Sequence, residues 1–267
     1  EDFGETGHLV KAFNNTFVYD GNYSIHRKRT FGSDARLFPF DRFVVFDQNH
    51  DQTGNRLNGD RLSTMIPFEA LKLAAATVLL SPYVPLLFMG EEYGEKNPFL
   101  FFVDHTRDDL LESVRKGRKE EFAYFKYAAD FPDPASEDSF LRSVLSWSYA
   151  DREPDALLRW YQYLISFRKE RKAMQGKERI SITAYSPADK LIILERKFEQ
   201  DQVVIVLNYA NTSRYIPSRF EKPLIRIQDS NEIQWAGSGS AATSVWEPGQ
   251  TLGVPAYSVC IYEFNDN

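Results

Sequence analysis

The sequence predicts an α/β region of (β/α)8 TIM-barrel type followed by an all-β one, a small antiparallel β-sandwich domain. Three observations carry this. Two short apolar runs, residues 43–46 and 86–89, each end in a dense packet of polar groups. The stretch between them has a helical apolar period, so strand, helix and strand form a βαβ unit with a right-handed crossover. At Gly176 the apolar period changes from 3.6 to 2, which divides the chain into residues 1–176 and 177–267. Neighbouring parallel strands that deliver polar groups to one rim are what the active face of a β/α barrel looks like.

Taken in order, residues 6–15 carry Leu9, Val10 and Phe13 at helical spacing, and Asn14 and Asn15 are a plausible stop. Residues 19–24 have turn chemistry. The basic run His26 to Arg29 reads first as a solvated loop face, with a place beside an anionic or sugar ligand as the lesser alternative. Residues 43–46 are too short for a helix and rich in β-branched and aromatic side chains, as a buried strand is. Pro67 is tolerated in a first helical turn, and Phe68, Leu71, Ala75 and Val78 share one face of a helix running to Leu80. Pro82 and Pro85 break it, and residues 86–89 begin the second strand. A charged helix is predicted over 107–127, a proline-containing loop over 130–138, and an amphipathic helix over 155–174. Strands are then predicted at 180–185, 190–198, 202–209, 224–228 and 258–264, separated by Ser-Pro, Asn-Thr-Ser and Pro-Gly turns.

With 267 residues, 43% of them hydrophobic, the chain can bury a sizeable core. A formal charge of −6 argues against a nucleic-acid partner, which needs clustered Lys and Arg. The single cysteine, Cys260, excludes an intrachain disulfide and a Cys-based metal site. No apolar run approaches the ~20 residues of a membrane span, and no signal-like segment opens the chain. The expectation is a soluble, cytoplasmic protein without a membrane partner. Because it starts at Glu1 without an initiator Met and enters almost at once into a helical run, it is expected to be a fragment.

The first polar packet supplies Asn49, His50 and Asp51, and the second Glu91 and Glu92. Paired carboxyl groups hydrolyse glycosidic bonds, about 5 Å apart with retention of configuration and about 6.5–9.5 Å apart with inversion. Asp51 can therefore be a catalytic carboxylate with Glu91 or Glu92 as partner. It can equally be a cap or loop-fixing acceptor, since carboxylates at strand ends often are. His50 can donate to a sugar hydroxyl or be a structural, hydrogen-bonded histidine. The four histidines have no metal-ligand spacing, and no nucleophile elbow or phosphate-cradling loop is present. Most aromatic side chains belong to a Phe-rich core; Tyr93, Phe101 and Phe102, beside the second packet, are candidates for stacking on sugar rings.

Phe46, Asp47, Gln48, Asn49, His50 and Asp51 together resemble the last sequence signature of the α-amylase superfamily, in which Asn-His-Asp follows the seventh barrel strand. The longer string from Gln48 to Arg56, with Arg61, Leu62 and the run from Pro85 to Glu92, is similar to the maltooligosyltrehalose trehalohydrolase family within it. Residues 98–105, and then Gly117, Arg118, Glu121 and Phe122, extend the likeness. The resemblance covers residues 1–127 well and the β tail in general shape.

This resemblance implies retaining hydrolysis of the α-1,4 bond next to the terminal trehalose of maltooligosyl trehalose or a related α-glucan, with no cofactor. It makes Asp51 the acid that binds sugar hydroxyls and favours the oxocarbenium-like transition state, and His50 a neighbouring donor. Gln48, Asn49, Gln52, Arg56 and Glu91 become substrate or rim contacts. The family's nucleophilic Asp and acid/base Glu follow the fourth and fifth strands, and nothing before Phe43 looks like either signature. The chain is then expected to hold about the last two barrel strands, to be inactive alone, to need the N-terminal barrel part as partner, and to associate through its open strand edges. Two rivals remain: a small self-sufficient hydrolase using Asp51 with Glu91, and a non-catalytic α-glucan-binding or scaffold module.

Overall fold

The computed structural model describes residues 3–124 and 132–265. In chain order it contains α1 (Thr6–Asn15), β1 (Asp20–Ser24), β2 (Arg29–Gly32), β3 (Val44–Val45), α2 (His50–Gly54), α3 (Leu62–Met65), α4 (Phe68–Leu79) and β4 (Val84–Pro85). Then come α5 (Asp108–Tyr124), α6 (Glu137–Arg142) and α7 (Arg152–Glu170). The rest is β5 (Ile182–Ala188), β6 (Leu191–Phe198), β7 (Asp201–Asn208), β8 (Arg214–Pro217), β9 (Leu224–Asp229), β10 (Val245–Trp246), β11 (Thr251–Val254) and β12 (Val259–Phe264).

The C-terminal region forms a six-stranded antiparallel sheet in the order β10-β9-β12-β7-β6-β5. Its inner strands alternate between two cores. Ile192 and Leu194 of β6 face a large cluster with Leu73, Ala76, Leu157, Trp160 and Leu164 from α4 and α7, whereas Leu191 and Ile193 face a smaller one with Ile216, Leu252 and Val254. A period-2 strand buried on both sides is apolar throughout, as β6 is at its start. The layer on the second face is a two-stranded β8–β11 ribbon rather than a full second sheet. Helices cover the first face.

Buried cations tie the helices to this sheet. Lys72 of α4, fully buried, donates to the Ser230 and Trp235 carbonyls at 2.6 and 3.0 Å and pairs with Glu69 at 2.7 Å. Arg196 of β6, equally buried, reaches the carbonyls of Leu80 and Met174 at 3.0 Å each. Arg168 of α7 donates to the Leu79 and Ser81 carbonyls, capping the C-terminal end of α4, where backbone acceptors lack helical partners. These contacts fix where the chain leaves α4 and enters β4.

β3 and β4 pair in parallel, with Val84 N donating to Phe43 O and Leu86 N to Val45 O, each at 2.9 Å. The second strand is thus Val84–Pro85, and the predicted buried strand at 86–89 lies beyond it with Leu86, Leu87 and Met89 exposed; Val44 and Phe46 of the first predicted strand are exposed as well, because these two short strands have no further neighbour to cover them among the described residues. In a parallel pair alternate amides face the neighbour, so the missing N–H of Pro85 falls on the open side. The parallel sheet has these two short strands only, among the described residues.

Other differences are local. Residues predicted as a turn at 19–24 form β1 of a hairpin with β2, irregular between Asp20 and Tyr23, and the run His26 to Arg29 is exposed at its tip. Pro67 is the residue before α4 rather than within its first turn. The last predicted helix is α7 followed by a separate 3-10 turn at Lys172–Met174. The helix predicted over 107–127 is seen as α5 to Tyr124; residues 125–127, and residues 130–131 of the predicted loop, lie outside the described residues. Among the described residues no helix is long and apolar enough to cross a membrane.

Candidate active site

The short strand β3 ends at Val45, and a few residues on the chain turns into α2, which Asn49 caps. The Asn49 backbone is extended, and its side-chain oxygen accepts from Gln52 N at 2.7 Å. This places His50 and Asp51 on the first helical turn, where a negative charge is favoured by the helix dipole. Both side chains face solvent: Asp51 is 75% exposed, and its carboxylate lies 3.2 Å from His50 Nε2. Gln52 and Arg56 are exposed beside them, Arg56 pairing with Asp60 at 3.3 Å.

Gln48 points the other way. It is buried, and its side-chain oxygen accepts from Leu62 N at 2.9 Å, fastening the start of α2 to the start of α3. The far end of α2 is held by Arg118 of α5, which donates to Asn55 Oδ1 at 2.8 Å and Gly54 O at 3.1 Å while covering the Phe101 ring at 4.6 Å. Gly59 closes the following loop against the 97–100 segment. Its φ is +61°, and an added Cβ would stand 2.5 Å from the Phe99 carbonyl, so only glycine fits.

Glu91 is not at the open rim that the sequence suggested. It is 6% exposed, in a 3-10 turn at Glu91–Tyr93, and Tyr161 of α7 donates to its Oε1 at 3.4 Å. Its Oε2 and the Oδ1 of Asp47 are both buried, and neither has a donor among the described residues. Burial, and then the Asp47 carboxylate, push the Glu91 pKa up, and burial likewise raises that of Asp47. Two carboxyl groups in a low-dielectric site cannot both ionise, and a proton shared between them gives each orphaned oxygen a partner. The pair sits under the rim and joins the residue after β3 to the turn after β4. Asp47 was missed in the sequence because a lone carboxylate at the end of an apolar run gives no sign of facing another. Asp51 and Glu91 consequently differ in kind, one an exposed carboxyl group and the other a buried acid.

The aromatic candidates divide similarly. Tyr93 is only 3% exposed, while Phe101 and Phe102 are partly open; Phe102 packs edge-on against Phe99 and Phe140 at 5.9 and 5.5 Å. The open ring near Tyr93 is Trp147, which no periodic pattern marks. No group of three His, Cys, Asp or Glu side chains that could hold a metal ion occurs among the described residues.

No family model matches the chain. Curated relatives do. The malto-oligosyltrehalose trehalohydrolase of Saccharolobus solfataricus is 44% identical over 169 residues, covering 63% of this chain and 28% of that protein. The enzyme of the same name from Arthrobacter ramosus is 45% identical over 172 residues, covering 63% and 30%. The chain thus spans less than a third of the length of these relatives, and the similarity suggested by its motifs extends well beyond them. Among solved structures, a Salmonella typhimurium protein provisionally described as an α-amylase has 32% identity and a TM-score of 0.79, over 97% of this chain and 41% of that one. A pullulanase from Anoxybacillus sp. LM18-11, complexed with maltotetraose, shares the fold at 16% identity and a TM-score of 0.57, over 96% of this chain and 30% of that one.

Proposed function

We propose that this chain is the C-terminal portion, residues 1–176 of a (β/α)8 barrel and 177–267 of a β domain, of a retaining α-amylase-type glycosidase. The parent cleaves the α-1,4 bond next to the terminal trehalose of maltooligosyl trehalose. The observation that carries the reading is Asp51: an exposed carboxylate on the first turn after a parallel strand, with His50 alongside, in a chain over 40% identical to enzymes named for that reaction. Asp51 binds sugar hydroxyls and favours the positively charged, distorted sugar of the transition state. Such hydrogen bonds strengthen as charge develops. His50, Asn49, Gln52 and Arg56 line the same rim. Gln48, Asp47 and Glu91 hold it from below.

On this reading the nucleophile and acid/base come from an upstream part, and the exposed apolar side chains of Val44, Phe46, Val84 and Leu86 form the seam on which its strands pack. A non-enzymatic α-glucan-binding module is the second reading, favoured by the aromatic side chains left open to solvent. The self-sufficient hydrolase loses its support with Glu91 buried. A cytoplasmic location belongs to the same proposal.

The experiment is complementation. Co-expression with the upstream portion of a full-length relative, followed by incubation with maltooligosyl trehalose, should release trehalose, while this chain alone releases none. A folded assembly that binds maltooligosaccharide without cleaving it would instead favour the binding module.

A further inference from the structure

We infer that Trp147, stacked on Tyr93 and flanked by Tyr149, is a platform for the apolar face of a glucosyl ring in an α-glucan, an inference that rests on the proposed substrate class. Four observations converge on it. The chain has four tryptophans; Trp160, Trp235 and Trp246 are buried, whereas Trp147 is 65% exposed. Its φ is +54°, a left-handed backbone that is costly for a bulky residue and that clusters at ligand-binding sites.

The loop that holds this conformation is anchored rather than loose. Glu95, 2% exposed, accepts from Tyr93 Oη at 2.9 Å, from Lys96 N and Asn97 N at 2.8 Å each, and from Ser146 N at 2.6 Å. Burial alone would raise its pKa, but the amides of Asn97 and Ser146 outweigh that and hold the carboxylate below its ordinary range. The residue immediately before Trp147 is thereby pinned to a buried charge.

The rings themselves form a shelf. Tyr93 and Trp147 lie 6.3 Å apart and 28° from parallel, and Tyr149 is 5.9 Å from Tyr93. With Tyr93 stacked beside it, the indole still keeps 65% of its surface open to solvent. A rigid, uncharged aromatic surface over a saturated carboxylate suits a neutral ligand with an apolar C–H face and hydroxyl edges, as a glucose unit has. Holding a large exposed ring in one orientation before binding removes part of the ordering cost of association. The turn bearing Tyr93 starts at Glu91, whose carboxyl meets Asp47 four residues before Asp51, so shelf and rim share one support.

Tryptophan fluorescence of the chain titrated with maltoheptaose tests this, because only one indole is open to solvent. The expected result is a saturable blue shift with reduced acrylamide quenching. It should be absent in Trp147→Ala, weakened several-fold in Tyr149→Ala and retained in Tyr215→Ala, an exposed ring of β8 outside the shelf, with all three variants keeping the wild-type thermal midpoint. No change with maltoheptaose, a shift that persists in Trp147→Ala, an equal response to cellohexaose, or a shift that follows protein concentration without sugar would overturn the assignment. Trehalose release on assembly with the upstream portion, without any indole response in this chain, would mean that the shelf assignment fails while the substrate class stands.

Discussion

Replacing Glu91 by glutamine tests the shared proton beneath the rim through the pH dependence of stability. The folded protein raises the Glu91 pKa from 4.5 to about 9. Between those values the folded state keeps a proton that the unfolded chain has released, so stability is full below the unfolded value and is lost as pH rises toward the folded one. One such proton corresponds to at most about 1.4 kcal/mol per pH unit. For a chain of this size that is a fall in Tm of about 3–5 °C per unit. The Glu91→Gln change removes the titration and keeps a donor, since the new side-chain amide can give the Asp47 carboxylate the hydrogen bond that the acid proton gave. Thermal unfolding followed by circular dichroism in buffers from pH 5.5 to 8.5 should therefore give curves that diverge, the variant losing Tm less steeply and surpassing wild type at alkaline pH. Parallel curves, or a variant weaker by the same amount at every pH, would refute the shared proton.

Two further substitutions probe the frame around the site. Gly59→Ala forces a side chain into the Phe99 carbonyl at a positive φ and should destabilise by about 1–3 kcal/mol, read as a lower denaturant midpoint with unchanged m-value. Lys72→Ala leaves Glu69 and two carbonyls buried without their cation and should cost about 3–5 kcal/mol; a change under about 1 kcal/mol would mean that the Lys72 contacts do not join α4 to the sheet.

How much of this was legible in the sequence follows from what each residue type can signal. The strands β6, β7 and β12 show in the sequence because each has an apolar run on both faces, β9 because Ile225 and Ile227 alternate with Arg226 and Gln228, and turn residues separate them. Asn49, His50 and Asp51 show because a cap residue after an apolar run sets where the helix begins. Glu91 misled because a carboxylate reads as a surface group, and its burial depends on Asp47, 44 positions earlier, and Tyr161, 70 positions later. Trp147 was silent because neither a positive φ nor a hydrogen bond from Ser146 to Glu95 leaves a periodic trace. Pro85 was read as a break, since which amide of a strand faces its neighbour is set only once the partner is known.

The most direct measurement is the hydrolysis of maltooligosyl trehalose by the protein assembled with its upstream portion, comparing Asp51 with Asp51→Asn. The account predicts a loss of about 10³-fold or more in kcat, roughly 4 kcal/mol of transition-state stabilisation, with a thermal midpoint within about a degree of wild type because the Asp51 side chain is exposed and meets His50 at the surface. Activity that survives the change, or a midpoint that drops by many degrees, would show that Asp51 shapes the fold and does not act on the sugar.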